Sequence, residues 1–141
     1  MSALPSLQDL LANEHAALFV VATLGARTSA SDQPDLHTLL RAAYQQHRSQ
    51  RDQLRILVAE QGEEPVAALP GYRVPSARTP RDVRTAAKEL AQGCASSYAA
   101  AISATSGSQR TFALNALTWC ATWQVQLGAP AQPWPGAREL P

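Results

Sequence analysis

EEPVAALPGYRVPSART, residues 63–79, is the stretch on which the fold turns. Pro65, Pro70 and Pro75 exclude a helix through it, and Gly71 adds a turn signal. On both sides of it apolar residues recur at helical spacing. Fully extended, the segment reaches roughly 55 to 60 Å, while a helix of about 28 residues is only about 42 Å long. It can therefore run the length of a helical bundle. A long connection with no helix or strand of its own needs a reason. A crossover that returns along the bundle supplies one, and it predicts that the helices before and after it run parallel. The plainer alternative is an up-down-up-down bundle with a slack third loop.

Before the crossover the pattern gives two helices. Helix 1 is expected from about Ser6 to Arg27. Ser6 and Asp9 resemble a capping box, and Leu7, Leu11, Leu18, Val21 and Gly25 form its stripe. Helix 2 starts near Asp32 or Pro34 and ends at Gly62, a C′ glycine; its stripe is Leu36, Leu40, Ala43, His47, Leu54 and Leu57. After the crossover, Thr79-Pro80-Arg81-Asp82 opens helix 3, with Thr79 as N-cap and Pro80 at N1. Helix 3 runs to about Thr105, Ser106-Gly107-Ser108 turns the chain, and helix 4 continues to about Leu127, closed by Gly128. The tail, 129–141, contains four prolines and is not helical. Pro133 and Pro135 stiffen it around Trp134, which is expected to dock on the bundle or on a neighbouring subunit. The expectation is a single all-α domain over 1–141. Two short-looped hairpins and one long Pro-rich crossover between helices 2 and 3 give the connectivity of a ferritin-like four-helix bundle.

Composition agrees. Of 141 residues 45% are apolar, which is enough for a core and argues against disorder. Alanine supplies 27 residues and aromatics only 6%, which favours helix over sheet. A net charge of +1 argues against a protein built to grip nucleic acid or acidic lipid. The longest apolar run, Ala16 to Ala26, is too short to span a bilayer, and no Lys or Arg precedes it as a signal peptide requires. The expected location is therefore cytoplasmic, with no membrane partner. Cys94 and Cys120 are too few for a disulfide scaffold and lack a C-x-x-C spacing.

Two polar residues interrupt the apolar stripes. Glu14 and His47 are equidistant from the turn at Ala30 and Ser31, so an antiparallel hairpin puts them at one height, facing each other inside the bundle. Burying either alone is costly, whereas together they can hydrogen-bond. Arg48 and Arg51 follow His47 closely and are alternative partners for Glu14. The pair is also half of a carboxylate–histidine metal site. A di-iron centre in such a bundle takes a Glu from each of two helices and Glu-x-x-His from each of the other two. Glu14 and Glu89 fit the first role and His47 half of the second. Tyr44, not Glu, stands three residues before His47, and helix 4 has no Glu or His between Gln109 and Gly128. The structural pair is therefore the expected reading, with no cofactor. His15 and Tyr44 are second-rank neighbours, and His15 and His37 are placed at the rim.

Arg41, Arg48 and Arg55 recur along one face of helix 2 with Arg51 beside them, but Asp52 and Glu60 interleave and no aromatic does. This reads as a solvated face rather than a nucleic-acid surface. Cys94 and Cys120 lie at similar heights in the second hairpin and are expected as small core residues. Phe112, Trp119 and Trp123 form a stripe on helix 4 that packs the core, or else forms a ligand or dimer surface. No P-loop, G-x-G-x-x-G, G-x-S-x-G or H-E-x-x-H is present.

NEHAALFVVATLGAR (Asn13 to Arg27), HRSQRDQL (His47 to Leu54), the Pro-rich crossover and Trp134-Pro135-Gly136 follow one another in an order that resembles a ferritin-like domain family of unknown function, domain of unknown function 4439. The resemblance covers nearly the whole chain. It implies a ferritin-like four-helix bundle and supplies no activity. The family carries tyrosines in its helix 1 motif where this chain has Phe19 and Val21, which argues against metal-oxidation chemistry. Two functions then compete. One is a non-enzymatic bundle acting through an interaction surface, possible as a homodimer or with a protein partner the sequence does not identify. The other is a residual metal- or small-ligand-binding protein using Glu14, His47 and Glu89.

Overall fold

Four helices carry the chain: α1 (Leu4–Ala26), α2 (Pro34–Ala59), α3 (Pro80–Ala104) and α4 (Gly107–Gln126). The computed structural model describes residues 3–137; the end of the expected tail, 138–141, lies outside them. Three of the four helices carry a proline in their first two positions, whose missing N–H needs no partner. Pro5 starts α1, Pro34 starts α2 and Pro80 starts α3. The start of α1 thus differs from expectation. Ser6 and Asp9 lie inside the helix, because Pro5 opens it one turn earlier without a side-chain cap. At α3 the expected cap is present and is a full capping box, Thr79 accepting from the Asp82 amide and Asp82 from the Thr79 amide. The Thr79 and Arg78 backbone amides, both donating to Asp82, hold its carboxyl below the usual carboxylate range. Thr79→Ala is expected to cost about 1 kcal/mol in urea unfolding, whereas Thr79→Ser should leave the midpoint nearly unchanged.

Burial follows two clusters. One joins Leu7, Leu10 and Leu11 of α1 to Leu54, Leu57 and Val58 of α2, Tyr98 and Ala101 of α3, and Ala113 and Ala116 of α4. The other joins Val20, Val21 and Leu24 to Leu36, Leu40 and Ala43, then Val83, Ala86 and Ala87, then Trp123 and Leu127. The start of α2 therefore shares an end of the bundle with the start of α3, and the two run parallel. α1 packs against α2 and α3, and α4 against α3 and α2, so α2 and α3 sit on a diagonal. This is the one-crossover connectivity.

The crossover follows α1 from end to end. The Gln8 amide donates to Glu64 O at 2.8 Å and accepts from Val66 N at 2.9 Å. His15 Nε2 meets Val66 O at 2.9 Å, Tyr72 tilts against Phe19 with ring centroids 5.7 Å apart, and Arg27 donates to Pro75 O at 3.0 Å. A segment with few backbone partners of its own thus borrows side chains from one face of α1.

The tail departs from expectation at Trp134, which is 77% exposed and does not dock on its own bundle. The close approach is made two residues later. Gly136 has φ +73, and a Cβ there would collide with the carbonyl oxygen of Ala95 on α3. Backbone meets backbone at that point, which only glycine permits, and the indole is left outside. Among the described residues no helix is long and apolar enough to cross a membrane.

Candidate functional site

Glu14 on α1 is 2% exposed and His47 on α2 is fully buried, each on the inward stripe of its helix. A carboxylate in such a place must be paired. His47 Nδ1 stands 2.6 Å from Glu14 Oε2, and Tyr98 Oη of α3 donates to Glu14 Oε1 at 2.5 Å. Three helices therefore converge on one carboxylate, and both of its oxygens are engaged.

The charges follow from that geometry. Burial lowers the pKa of His47, but the hydrogen bond and the negative charge of Glu14 outweigh it, and the net shift is upward. Below that raised value His47 is an imidazolium whose Nδ1–H is directed at Glu14 Oε2. Burial, then the charge of Glu14, pushes the Tyr98 phenol well above its usual value, so it stays protonated and donates. Trp119 and Trp123 of α4 close over the imidazole, with centroids 5.4 Å and 5.8 Å from it and ring planes at 82° and 75°. His47 Nε2 and Trp123 Nε1 have no hydrogen-bond partner.

A pH dependence results. The folded-state pKa of His47 lies above its ordinary 6.5, so its stabilisation is complete below about pH 6.5 and is lost as pH rises through the raised folded value. Urea midpoints measured from about pH 6 to pH 9 should fall for the natural chain and be flatter for His47→Gln. Equal slopes in the two proteins would remove the imidazolium from the account.

Cys94 and Cys120 are free and buried. The neighbouring Cys120 thiol and burial push the Cys94 thiol well up, so the Cys94 thiolate that nucleophilic chemistry needs is suppressed.

The other residues singled out in the sequence do not join the group. Glu89 is exposed. It precedes Tyr98 by about 13 Å of helix rise and by half a turn of rotation, so the face that presents Tyr98 inward turns Glu89 outward. The grouping of Glu89 with Glu14 and His47 is therefore corrected, and Tyr98 takes the place on α3. Tyr44 is 41% exposed and Arg48 is exposed. Arg51 is held by Asp52, with nitrogen–oxygen distances of 2.9 Å and 2.8 Å, and not by Glu14. His15 is half-buried and serves the crossover. Sequence reasoning missed Tyr98 and also Gln50, which is 4% exposed with neither amide atom partnered. Both were visible as polar interruptions of apolar stripes, as Glu14 and His47 were.

The donor set does not fit a di-iron centre. Such a site needs four carboxylates and two histidines from four helices. Here one carboxylate is engaged at both oxygens, and α4 offers neither Glu nor His. Among the described residues no three His, Cys, Asp or Glu side chains are grouped to hold a metal ion.

A family model described as "Domain of unknown function (DUF4439)" matches residues 6–139. The chain belongs to the DUF4439 family. Its fold is also similar to that of a solved structure, the crystal structure of a conserved hypothetical protein from Mycobacterium tuberculosis. That protein is 26% identical, with a TM-score of 0.80 over 87% of this chain and 92% of the other. No curated protein matches the chain. DUF4439 membership supplies a fold and no chemistry, so function has to be argued from the residues.

Proposed function

We propose that this protein is a non-enzymatic ferritin-like bundle in which the Glu14–His47–Tyr98 triad occupies the level of a lost di-iron centre, and that it acts through its outer surface. The observation that carries this reading is the double engagement of Glu14. His47 takes one oxygen and Tyr98 the other, which turns a ligand position into a clamp between three helices. The residual metal-binding alternative rested on Glu89, and Glu89 is exposed. The buried, reduced thiols suit a cytoplasmic setting.

The outer surface favoured by the residues is α4. A helix exposed along one side is normally charged there, yet α4 carries one charged residue, Arg110, near its start. Leu114 and Val125, 45% and 48% exposed, project from it. A charge-free face can meet its own copy about a two-fold axis without repulsion, which makes a homodimer the proposed assembly. Nucleic acid is not favoured, since Arg51 is already bound to Asp52.

Tag-free protein tests both halves. Fe, Mn or Zn is expected to leave the melting temperature of the natural chain unchanged. A rise that vanishes in Glu14→Gln would restore the metalloprotein reading, because a ligand that binds only the folded state stabilises it by mass action. Light scattering should give a dimer that Val125→Arg converts to a monomer. A natural chain that stays monomeric would overturn the proposed surface.

A further inference from the structure

The seam between α2 and α4 is built unlike the rest of the bundle. The two helices meet along a shorter line than either hairpin pair. A groove of about 390 Å³ opens there, lined by Gln46, Ser49, Gln50 and Gln53 of α2 and by Phe112 and Asn115 of α4. On α2 the spacing 46, 49, 50, 53 is one helical face, and on α4 112 and 115 is another. Where a bundle ordinarily places leucines, this one places four amides, a hydroxyl and an aromatic ring. No charged side chain lines the groove.

Gln50 gives that lining a direction. It is 4% exposed, and neither Oε1 nor Nε2 has a hydrogen-bond partner. A buried amide left unpaired costs free energy twice, once for its donor and once for its acceptor. An inert seam would hold leucine at this position, as α2 does at Leu54 and Leu57. The other amides of the seam lie towards the rim, where Ser49, Gln53 and Asn115 are exposed.

We propose that the α2–α4 groove is a binding site for a small uncharged planar molecule with a hydrogen-bond donor beside an acceptor, of the nucleobase class. Gln50 carries the complement of such an edge, Nε2 donating and Oε1 accepting in one plane, the bidentate pattern by which glutamine reads adenine; both atoms are closed to solvent in this structure, so binding requires the side chains at the groove rim to part. The ring of Phe112 supplies an apolar wall for a flat ligand. The absence of lining charge selects a free base over a phosphorylated one. The groove has the size of small-molecule sites. This site shares no residue with the Glu14 triad but adjoins it, since the Phe112 ring meets Tyr98 edge-on at 5.9 Å.

The test is an amide-resolved NMR titration of the full chain with adenine and, separately, uracil. Adenosine monophosphate and ribose serve as further probes. At least one base should shift the Gln50 side-chain amide and the backbone signals of residues 46–53 and 112–116. Gln50→Leu should weaken that binding about tenfold or more, the loss of two hydrogen bonds. The same variant should melt no lower than the natural chain, because leucine removes two unpaired polar atoms from the core. Gln53→Ala, at the exposed rim, guards against a folding failure and should weaken binding while leaving the melting temperature in place. Three results would overturn the proposal: no shift at Gln50 with either base, shifts that persist unchanged in Gln50→Leu, or a response to adenosine monophosphate or ribose but to neither base. Cross-peaks from the Gln50 amide to long-lived water alone, with no response to base, would likewise reduce the site to a hydrated amide.

Discussion

Glu14→Ala should destabilise the protein by about 3–5 kcal/mol, the range found when one partner of a buried ion pair is removed. The loss has three parts. His47 is left in a buried position that disfavours its charge with no counter-charge, Tyr98 Oη loses its acceptor, and the space of the carboxylate is left empty. Glu14→Gln keeps the shape and one carbonyl oxygen, so it should cost about 1–2 kcal/mol, since a single buried group is then mismatched. Tyr98→Phe removes one donor and leaves the ion pair, and it should fall near the glutamine variant. Urea unfolding of the three proteins checks the order. A Glu14→Ala variant as stable as the natural chain would show that the triad holds nothing together.

Trp123→Ala is the second large effect, about 3–5 kcal/mol for deleting a fully packed indole. Trp123 is 2% exposed and is the largest fully buried side chain. It stacks on Trp119 at 5.3 Å and meets His47 at 5.8 Å. It therefore links the second apolar cluster to the polar level. Removing it lets water reach His47, so the pH dependence of stability should flatten in the same variant. Trp119 is only half-buried, and Trp119→Ala should cost less, about 1–2 kcal/mol. Equal losses for the two tryptophans would mean that the stack, not burial, sets the energy.

Most of the fold was legible because its signals are local. Pro34, Pro80 and the Thr79–Asp82 pair fix helix starts, and the prolines of 63–79 dictate a crossover whatever surrounds them. The height argument that paired Glu14 with His47 worked because a short turn fixes the register of a hairpin. The same argument had no purchase between α1 and α3, whose register is set across the crossover, and so Glu89 was preferred and Tyr98 overlooked. The indole of Trp134 does not dock on its own bundle, and a neighbouring subunit stays its other expected seat. The contact that docks the tail is made by Gly136, a residue with no side chain to count. Gln50 escaped notice because its neighbours His47 and Leu54 made the stripe look complete.

The crossover has one further consequence. Between the residues that hold it, Gln8 and Arg27, α1 rises about 28 Å. The chain from Val66 to Pro75 spans at most about 30–32 Å. His15 as well as Gln8 holds Val66, so the stretch to cover is about 18 to 28 Å, and the connection has a slack of at most about four residues. It acts as a ruler laid along α1, one whose length limits how far α3 can begin from the end of α2. Added residues would bulge harmlessly into solvent, while removing more than that slack would pull α3 along its axis and slide Tyr98 away from the level of Glu14. The register of the buried triad is therefore written partly in the number of residues in a loop that never touches it.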